Sequence, residues 1–141
     1  MTVQKNSTAR ILIVDDDISV LKALQRNLKR LAPDWTVAFA QDAGEALMAA
    51  KLAPYDVVVT DIRMPAMNGV ELLARFAARY PNVLRVAFSE KFDALTTYSI
   101  TPCPHRYIAK PCDAKDLYTA VSGWLAEHRT HLDLADELAR D

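Results

Sequence analysis

The chain has 141 residues, a formal net charge of -1, 51% hydrophobic residues, seven prolines, two cysteines and three glycines. That length suits one domain with a substantial core and excludes a two-domain enzyme, while the apolar content excludes a disordered chain and no stretch reaches the ~20 apolar residues of a membrane span. Near-neutral charge argues against direct nucleic-acid binding through a broadly basic surface, a local basic patch aside, and the polar stretch Met1 to Arg10 is no secretory signal, so the expected compartment is the cytoplasm, with both cysteines as free thiols.

The seven prolines punctuate the chain, because proline is excluded from helix interiors and central strands. Ile11-Leu12-Ile13-Val14 is a solid apolar run, followed by Ile18, Leu21, Leu24, Leu28 and Leu31 at spacings of three and four. This predicts a buried strand and then an amphipathic helix. Trp35 to Phe39 alternates, and Asp42 with Glu45 three residues on opens a second helix as a capping box. Val57-Val58-Val59 is a third strand. Asn68 caps a third helix whose inner face is expected to be Val70, Leu73, Phe76 and Tyr80. Residues 83–88 form a fourth strand, a short helix is expected from Phe92 to Ser99, and Tyr107-Ile108-Ala109 is a fifth strand. Asp113 caps the final helix, with Asp116 three residues later.

Five strand–helix repeats predict an α/β, doubly wound, five-stranded parallel sheet with helices on both faces. The wholly apolar first and third strands belong at the centre and the second and fifth at the edges, which favours the order 2-1-3-4-5. Residues 1–8 are expected to be a flexible N-terminus and 9–129 the domain. Residues 130–141 are a polar tail that either frays or extends the last helix.

In such a sheet, ligands bind beyond the carboxyl ends of the strands where the strand order reverses, here between strands one and three. The residues there are Asp15-Asp16-Asp17 and Asp61, with Ser89 ending strand four and Lys110 ending strand five. Three scattered glycines, Gly44, Gly69 and Gly123, cannot build a glycine-rich phosphate loop, so any phosphate chemistry rests on side chains. Asp15, Asp16 and Asp61 against Lys110 leave two net negative charges. Hard oxygen donors in small number suit Mg²⁺, and a zinc site would want His or Cys. A carboxylate, a divalent ion, a hydroxyl and a lysine together form a phosphoryl-transfer constellation in which Asp61 can become an acyl phosphate. Taken singly each residue has a plain structural use, and Asp17 before Ile18 reads as a helix cap.

With Ile11-Leu12-Ile13-Val14-Asp15-Asp16-Asp17, Asp61-Ile62-Arg63-Met64-Pro65-Ala66-Met67-Asn68-Gly69, Ser89 and Tyr107-Ile108-Ala109-Lys110-Pro111 in this order, residues 9–129 resemble a response-regulator receiver domain, flavodoxin-like in fold. The likeness is closest to receivers fused to HD-type or HDOD output domains. It implies that Asp61 is the phosphoacceptor, that Asp15, Asp16, Asp61 and the backbone carbonyl of Arg63 hold Mg²⁺, and that Lys110 and Ser89 contact the phosphoryl group. It also implies that Ser89 and Tyr107 switch the face made by the short fourth helix, the fifth strand and the final helix, and that the Lys110–Pro111 bond is cis. The implied donor is a sensor histidine kinase or phosphotransfer protein, and the implied target a downstream output domain or protein. The domain is then a switch rather than an enzyme, catalysing only its own phosphorylation and dephosphorylation. No output segment follows the domain, so the controlled object is expected to be another molecule or part of a longer protein.

Departures from the family pattern are Glu90, where a small residue is usual, and Thr101-Pro102-Cys103-Pro104-His105 before strand five. The Glu90 carboxylate either slows phosphotransfer or points to solvent. Cys103, His105 and Cys112 lack a fourth ligand for a metal site and read as ordinary loop residues. Leu117, Val121, Trp124, His128, His131, Ala135 and Leu138 trace a heptad seam that admits a homodimer or linker helix. Two rival functions remain: a haloacid-dehalogenase-like phosphohydrolase, since Asp15 and Asp17 fit its Asp-x-Asp, and a receiver-like binding module that works without phosphorylation.

Overall fold

The computed structural model describes residues 8–90 and 106–140; the expected Phe92–Ser99 helix and the Thr101–His105 loop, with Cys103 and His105, lie outside the described residues, as does most of the N-terminal segment. The chain alternates β1 (Ala9–Val14), α1 (Ile18–Leu31), β2 (Trp35–Ala40), α2 (Ala43–Leu52), β3 (Val57–Asp61), α3 (Gly69–Arg79), β4 (Leu84–Glu90), β5 (Arg106–Lys110) and α4 (Ala114–Ala139). The strands form one sheet in the order β2-β1-β3-β4-β5, every neighbouring pair parallel. This is the expected doubly wound, flavodoxin-like arrangement, with strand order reversing between β1 and β3.

Strand parity builds the two cores. Successive side chains of a strand point to opposite faces, so Ile11 and Ile13 join Val57, Val59, Val86 and Phe88 under α1 and α4, while Leu12 and Val14 join Val58 and Ala87 under α2 and α3. Leu21, Leu24 and Leu28 supply the inner stripe of α1, and Leu117, Val121 and Leu125 that of α4. Each such leucine contributes about 1.5–3 kcal/mol by leaving water.

The caps fall where the sequence places them. Asp17 accepts from the Ser19 N–H, Asp42 from Glu45 and Asp113 from Asp116, all within 2.9 Å. Asn68 and Glu71 exchange both bonds of a capping box, whereas Glu45 accepts from the Gln41 N–H, one residue before its cap. The inner face of α3 differs from expectation: Leu72 and Leu73 are both buried with Phe76, and Val70 and Tyr80 are only partly so. α3 lies against β3 and β4 with a contact stripe wide enough to take adjacent leucines.

Helix α4 is continuous over 26 residues. Near its middle it is tied to the amino-terminal end of the sheet, where Arg129 donates to the Thr8 carbonyl at 2.9 Å and a ring nitrogen of His128 lies 2.7 Å from the Asn82 carbonyl. Leu125 is its last buried residue, and beyond the anchors Leu134 and Leu138 are 50% and 75% exposed. Among the described residues no helix is long and apolar enough to cross a membrane.

Candidate functional site

The carboxyl ends of β1, β3 and β5 meet at one cleft of about 270 Å³, lined by Asp15, Asp16, Asp17, Asp61, Arg63, Glu90 and Lys110. Asp15 is fully buried and Asp61 7% exposed. Asp16 stands at the open side, and one oxygen from each of Asp15, Asp16 and Asp61 lies within 4.8 Å of the others. Neighbouring central strands ending in Asp bring these charges together, and the turn into α1 fixes them: the Asp17 N–H donates to Asp15 Oδ1 at 2.9 Å.

Lys110 holds the cluster from across the sheet. Its Nζ lies 2.9 Å from Asp15 Oδ2 and 3.2 Å from Asp61 Oδ1, and 5.0 Å from the centre of the Phe88 ring. Phe88 is the strand partner of Asp61, so the lysine rests on the aromatic face beside the carboxylate it pairs with. The Lys110–Pro111 peptide is cis, as the resemblance implied.

One ammonium does not balance three carboxylates. Burial pushes the Asp61 carboxyl up from 3.8 to about 6; Lys110 pulls it back, and the charge of Asp15 with the nearby Asp16 carboxyl adds to the rise. Burial lowers the Lys110 ammonium, but its hydrogen bond to Asp15 and the charges of Asp15 and Asp61 outweigh burial, so it is held above its ordinary value. Hard oxygen ligands, an electrostatic deficit and an exposed third carboxylate suit a hard divalent cation that keeps part of its water.

The loop after β3 is fixed by close backbone approach. The Gly69 N–H donates to the Ile62 carbonyl at 2.7 Å, and a Cβ on Gly69 would overlap the Asp61 carbonyl oxygen and crowd Ile62 Cα. The Thr60 hydroxyl donates to that same Asp61 carbonyl at 3.0 Å. Ala66, at φ 66°, turns the intervening loop through the left-handed region.

Of the residues singled out from sequence, Asp15, Asp16, Asp61, Arg63 and Lys110 come together at the cleft. Ser89 is buried at the end of β4 beside Ala109 and does not line the cleft; Tyr107 is 45% exposed on β5, opposite Ala87. Glu90 lines the cleft and is also open to solvent. Cys112 is a free thiol held above its ordinary value by burial and by the charges of Asp116 and Asp113. Sequence reasoning overlooked Phe88 as the support of Lys110 and gave Gly69 no role beyond its place in the receiver-like motif. The strand register would have exposed the first, since Phe88 pairs with Asp61.

Comparison with known proteins supports the same assignment. The response regulator receiver domain family matches residues 11–122. The alkaline phosphatase synthesis transcriptional regulatory protein PhoP of Bacillus subtilis is 29% identical over 119 residues, 82% of this chain and 48% of that protein. The two-component response regulator ARR14 of Arabidopsis thaliana is 32% identical over 114 residues, 79% of this chain and 29% of that protein. The chain thus spans half or less of either relative. Among solved structures, the signal receiver domain of an HD domain-containing protein from Pseudomonas fluorescens aligns with a TM-score of 0.78 at 30% identity, over 94% of this chain and 96% of that one. A structure described as an adenylate cyclase from Rhodopirellula baltica aligns with a TM-score of 0.80 at 29% identity, over 95% and 98%. With its sheet order, its clustered strand-end aspartates and a family match over most of its length, the chain belongs to the response regulator receiver domains of two-component systems.

Proposed function

We propose that this chain is a phosphorylation-operated switch in the cytoplasm, with Asp61 the phosphoacceptor and a phosphohistidine on a sensor kinase or phosphotransfer protein the donor. The observation that carries the reading is Lys110, whose ammonium sits within 3.2 Å of both Asp15 and Asp61 and leaves Asp16 open to the cleft. An Asp61 oxygen attacks phosphorus, the phosphorus–nitrogen bond breaks, the imidazole nitrogen leaves and takes up a proton, and an acyl phosphate remains on Asp61. Burial holds the Asp61 carboxyl near 6 in the metal-free protein, and a bound divalent cation would favour the ionised carboxylate that attacks. Mg²⁺ held by Asp15, Asp16, Asp61 and the backbone carbonyl of Arg63 would neutralise phosphoryl oxygens as negative charge gathers there.

Lys110 positions Asp61 in the resting state and can turn to a phosphoryl oxygen, an ionic contact it is already charged to make. Ser89, one residue beyond the strand partner of Asp61, supplies the hydroxyl for another oxygen. Its withdrawal toward the phosphoryl group leaves room for Tyr107 to move inward, biasing the β5 and α4 surface between two forms that a downstream output domain or protein can distinguish. Asp17 lines the cleft but accepts the Ser19 N–H through Oδ1 as the cap of α1, a use that competes with the second-carboxylate role of a haloacid dehalogenase.

Incubation with acetyl phosphate and Mg²⁺, followed by intact mass measurement, tests the reading. One added phosphoryl group that Asp61→Asn abolishes is the expected result. Equal incorporation by Asp61→Asn overturns it.

A further inference from the structure

The helix α1 and strand β2 unit is the basic side of an otherwise balanced chain. Lys22, Arg26, Lys29 and Arg30 are all exposed on α1, at spacings that place them on one outward stripe, and Asp34 is the lone acidic residue from Ile18 through Gln41. Beside this stripe a cleft of about 210 Å³ opens between α1 and β2, lined by Gln25, Leu28, Lys29, Trp35, Val37 and Phe39. Because β2 is the edge of the sheet, Trp35, Val37 and Phe39 pack against α1 from one side and remain only partly covered. Trp35 is held in place by the Tyr118 ring of α4, 4.9 Å away. The result is a preformed cleft of mixed lining, with Trp35, Val37 and Phe39 on its β2 side and Gln25 and Lys29 on its α1 side, next to the basic stripe.

The opposite chemistry leaves the body from the amino-terminal end of the sheet, where Arg129 binds the Thr8 carbonyl and Trp35 pairs with Ala9. Past its anchors at His128 and Arg129, α4 continues as an amphipathic helix. Leu134, Ala135 and Leu138 share one exposed face, and Asp133, Asp136 and Glu137 carry the polar side against the single cation Arg140. From Asp133 onward every described residue is exposed, a run of about two turns at 1.5 Å per residue.

We propose that the α4 extension of one copy docks in the α1–β2 cleft of a second copy, with Leu134 and Leu138 against Trp35, Val37 and Phe39 and the acidic flank against Lys29 and Arg26. Reciprocal docking gives a closed dimer with two identical contacts. The argument for a second copy is charge complementarity: a parallel pairing of two extensions along the leucine seam sets Asp133, Asp136 and Glu137 of each beside the same acids of the other. Two three-residue apolar contacts are a small interface, so the association is weak and concentration-dependent. It engages neither Asp61 nor Lys110.

Sedimentation velocity of the full chain over a wide loading range is expected to show a reversible monomer–dimer equilibrium, which Leu134→Ser with Leu138→Ser shifts to monomer. Two charge-reversed chains decide the mode. Arg26→Glu with Lys29→Glu makes the cleft acidic, and Asp133→Lys with Glu137→Lys makes the extension basic. Each is expected to be monomeric alone, and an equimolar mixture to dimerise again, because both contacts in the mixed dimer are complementary. Every variant is expected to take up phosphoryl groups from acetyl phosphate as the parent does, which reports an intact fold. A parent that stays monomeric at every concentration overturns the proposal. So does dimerisation of the Arg26→Glu, Lys29→Glu chain on its own, which points instead to pairing between extensions.

Discussion

Lys110 donates to Asp15 Oδ2 at 2.9 Å, joining the end of the fifth strand to the end of the first across 95 positions of sequence. Asp15 is fully buried, so this ammonium is the positive charge that makes its ionised state tolerable. Lys110→Ala is expected to lower stability at pH 7.5 by about 2–4 kcal/mol, measured by urea denaturation. Excess Mg²⁺ should recover part of the loss, because a divalent ion in the same cluster replaces the missing charge. A variant as stable as the parent without Mg²⁺ would show that the pair contributes nothing.

The pH dependence has a definite direction. Asp61 has a higher pKa folded, about 6, than its ordinary value of 3.8, so between those values the folded state binds more protons than the unfolded state. Stability assignable to Asp61 is therefore fully present below about pH 4 and is lost as pH rises through 6. Asp61→Asn removes that loss. It is expected to be more stable than the parent at pH 7.5 by about 1–3 kcal/mol and equal to it near pH 4, in thermal melts without divalent ions. A difference between the two proteins that does not change with pH would contradict the account.

Glycine-to-alanine substitution should act with opposite sign at two positions. At Gly69 the added methyl collides with the Asp61 carbonyl, and the expected cost is about 2–3 kcal/mol, together with slower phosphoryl uptake as Asp61 is displaced. At Gly123, exposed within α4, a Cβ meets nothing within 4 Å, and the gain in helix propensity is about 0.5–1 kcal/mol. Urea midpoints of the two variants provide the comparison.

Glu90 adds a further negative charge to the lining of an already acidic cleft. Glu90→Ala is expected to speed phosphoryl uptake from acetyl phosphate several-fold at low ionic strength, with the gain shrinking in high salt as the repulsion is screened. Rates equal to the parent at low salt would remove Glu90 from the mechanism.

The sequence made the sheet legible because parity and periodicity are local. Ile11 to Val14 had to be covered on both faces, and Asp17, Asp42, Asn68 and Asp113 mark helix starts through bonds that span two or three residues. The carboxylates at the ends of β1 and β3 followed once the strand order was fixed. What escaped depends on distances between separate elements. Leu72 is buried because of how α3 lies on β3 and β4. Gly69 is demanded by a carbonyl eight residues earlier, and Phe88 supports Lys110 only through the register of β3, β4 and β5. The cleft between α1 and β2 likewise needs Trp35, Val37 and Phe39 seen edge-on beside Lys29, an arrangement no periodicity announces.

The span of the Lys110–Asp15 bond also orders events during synthesis. Asp15, Asp16 and Asp61 leave the ribosome well before Lys110, so a nascent chain carries three carboxylates with no ammonium to gather them. Closing that loop is entropically costly and comes only when β5 can pair with β4. The reactive carboxylate therefore acquires its counter-charge at the step that completes the sheet, and an incomplete chain cannot present the finished pocket to a phosphoryl donor.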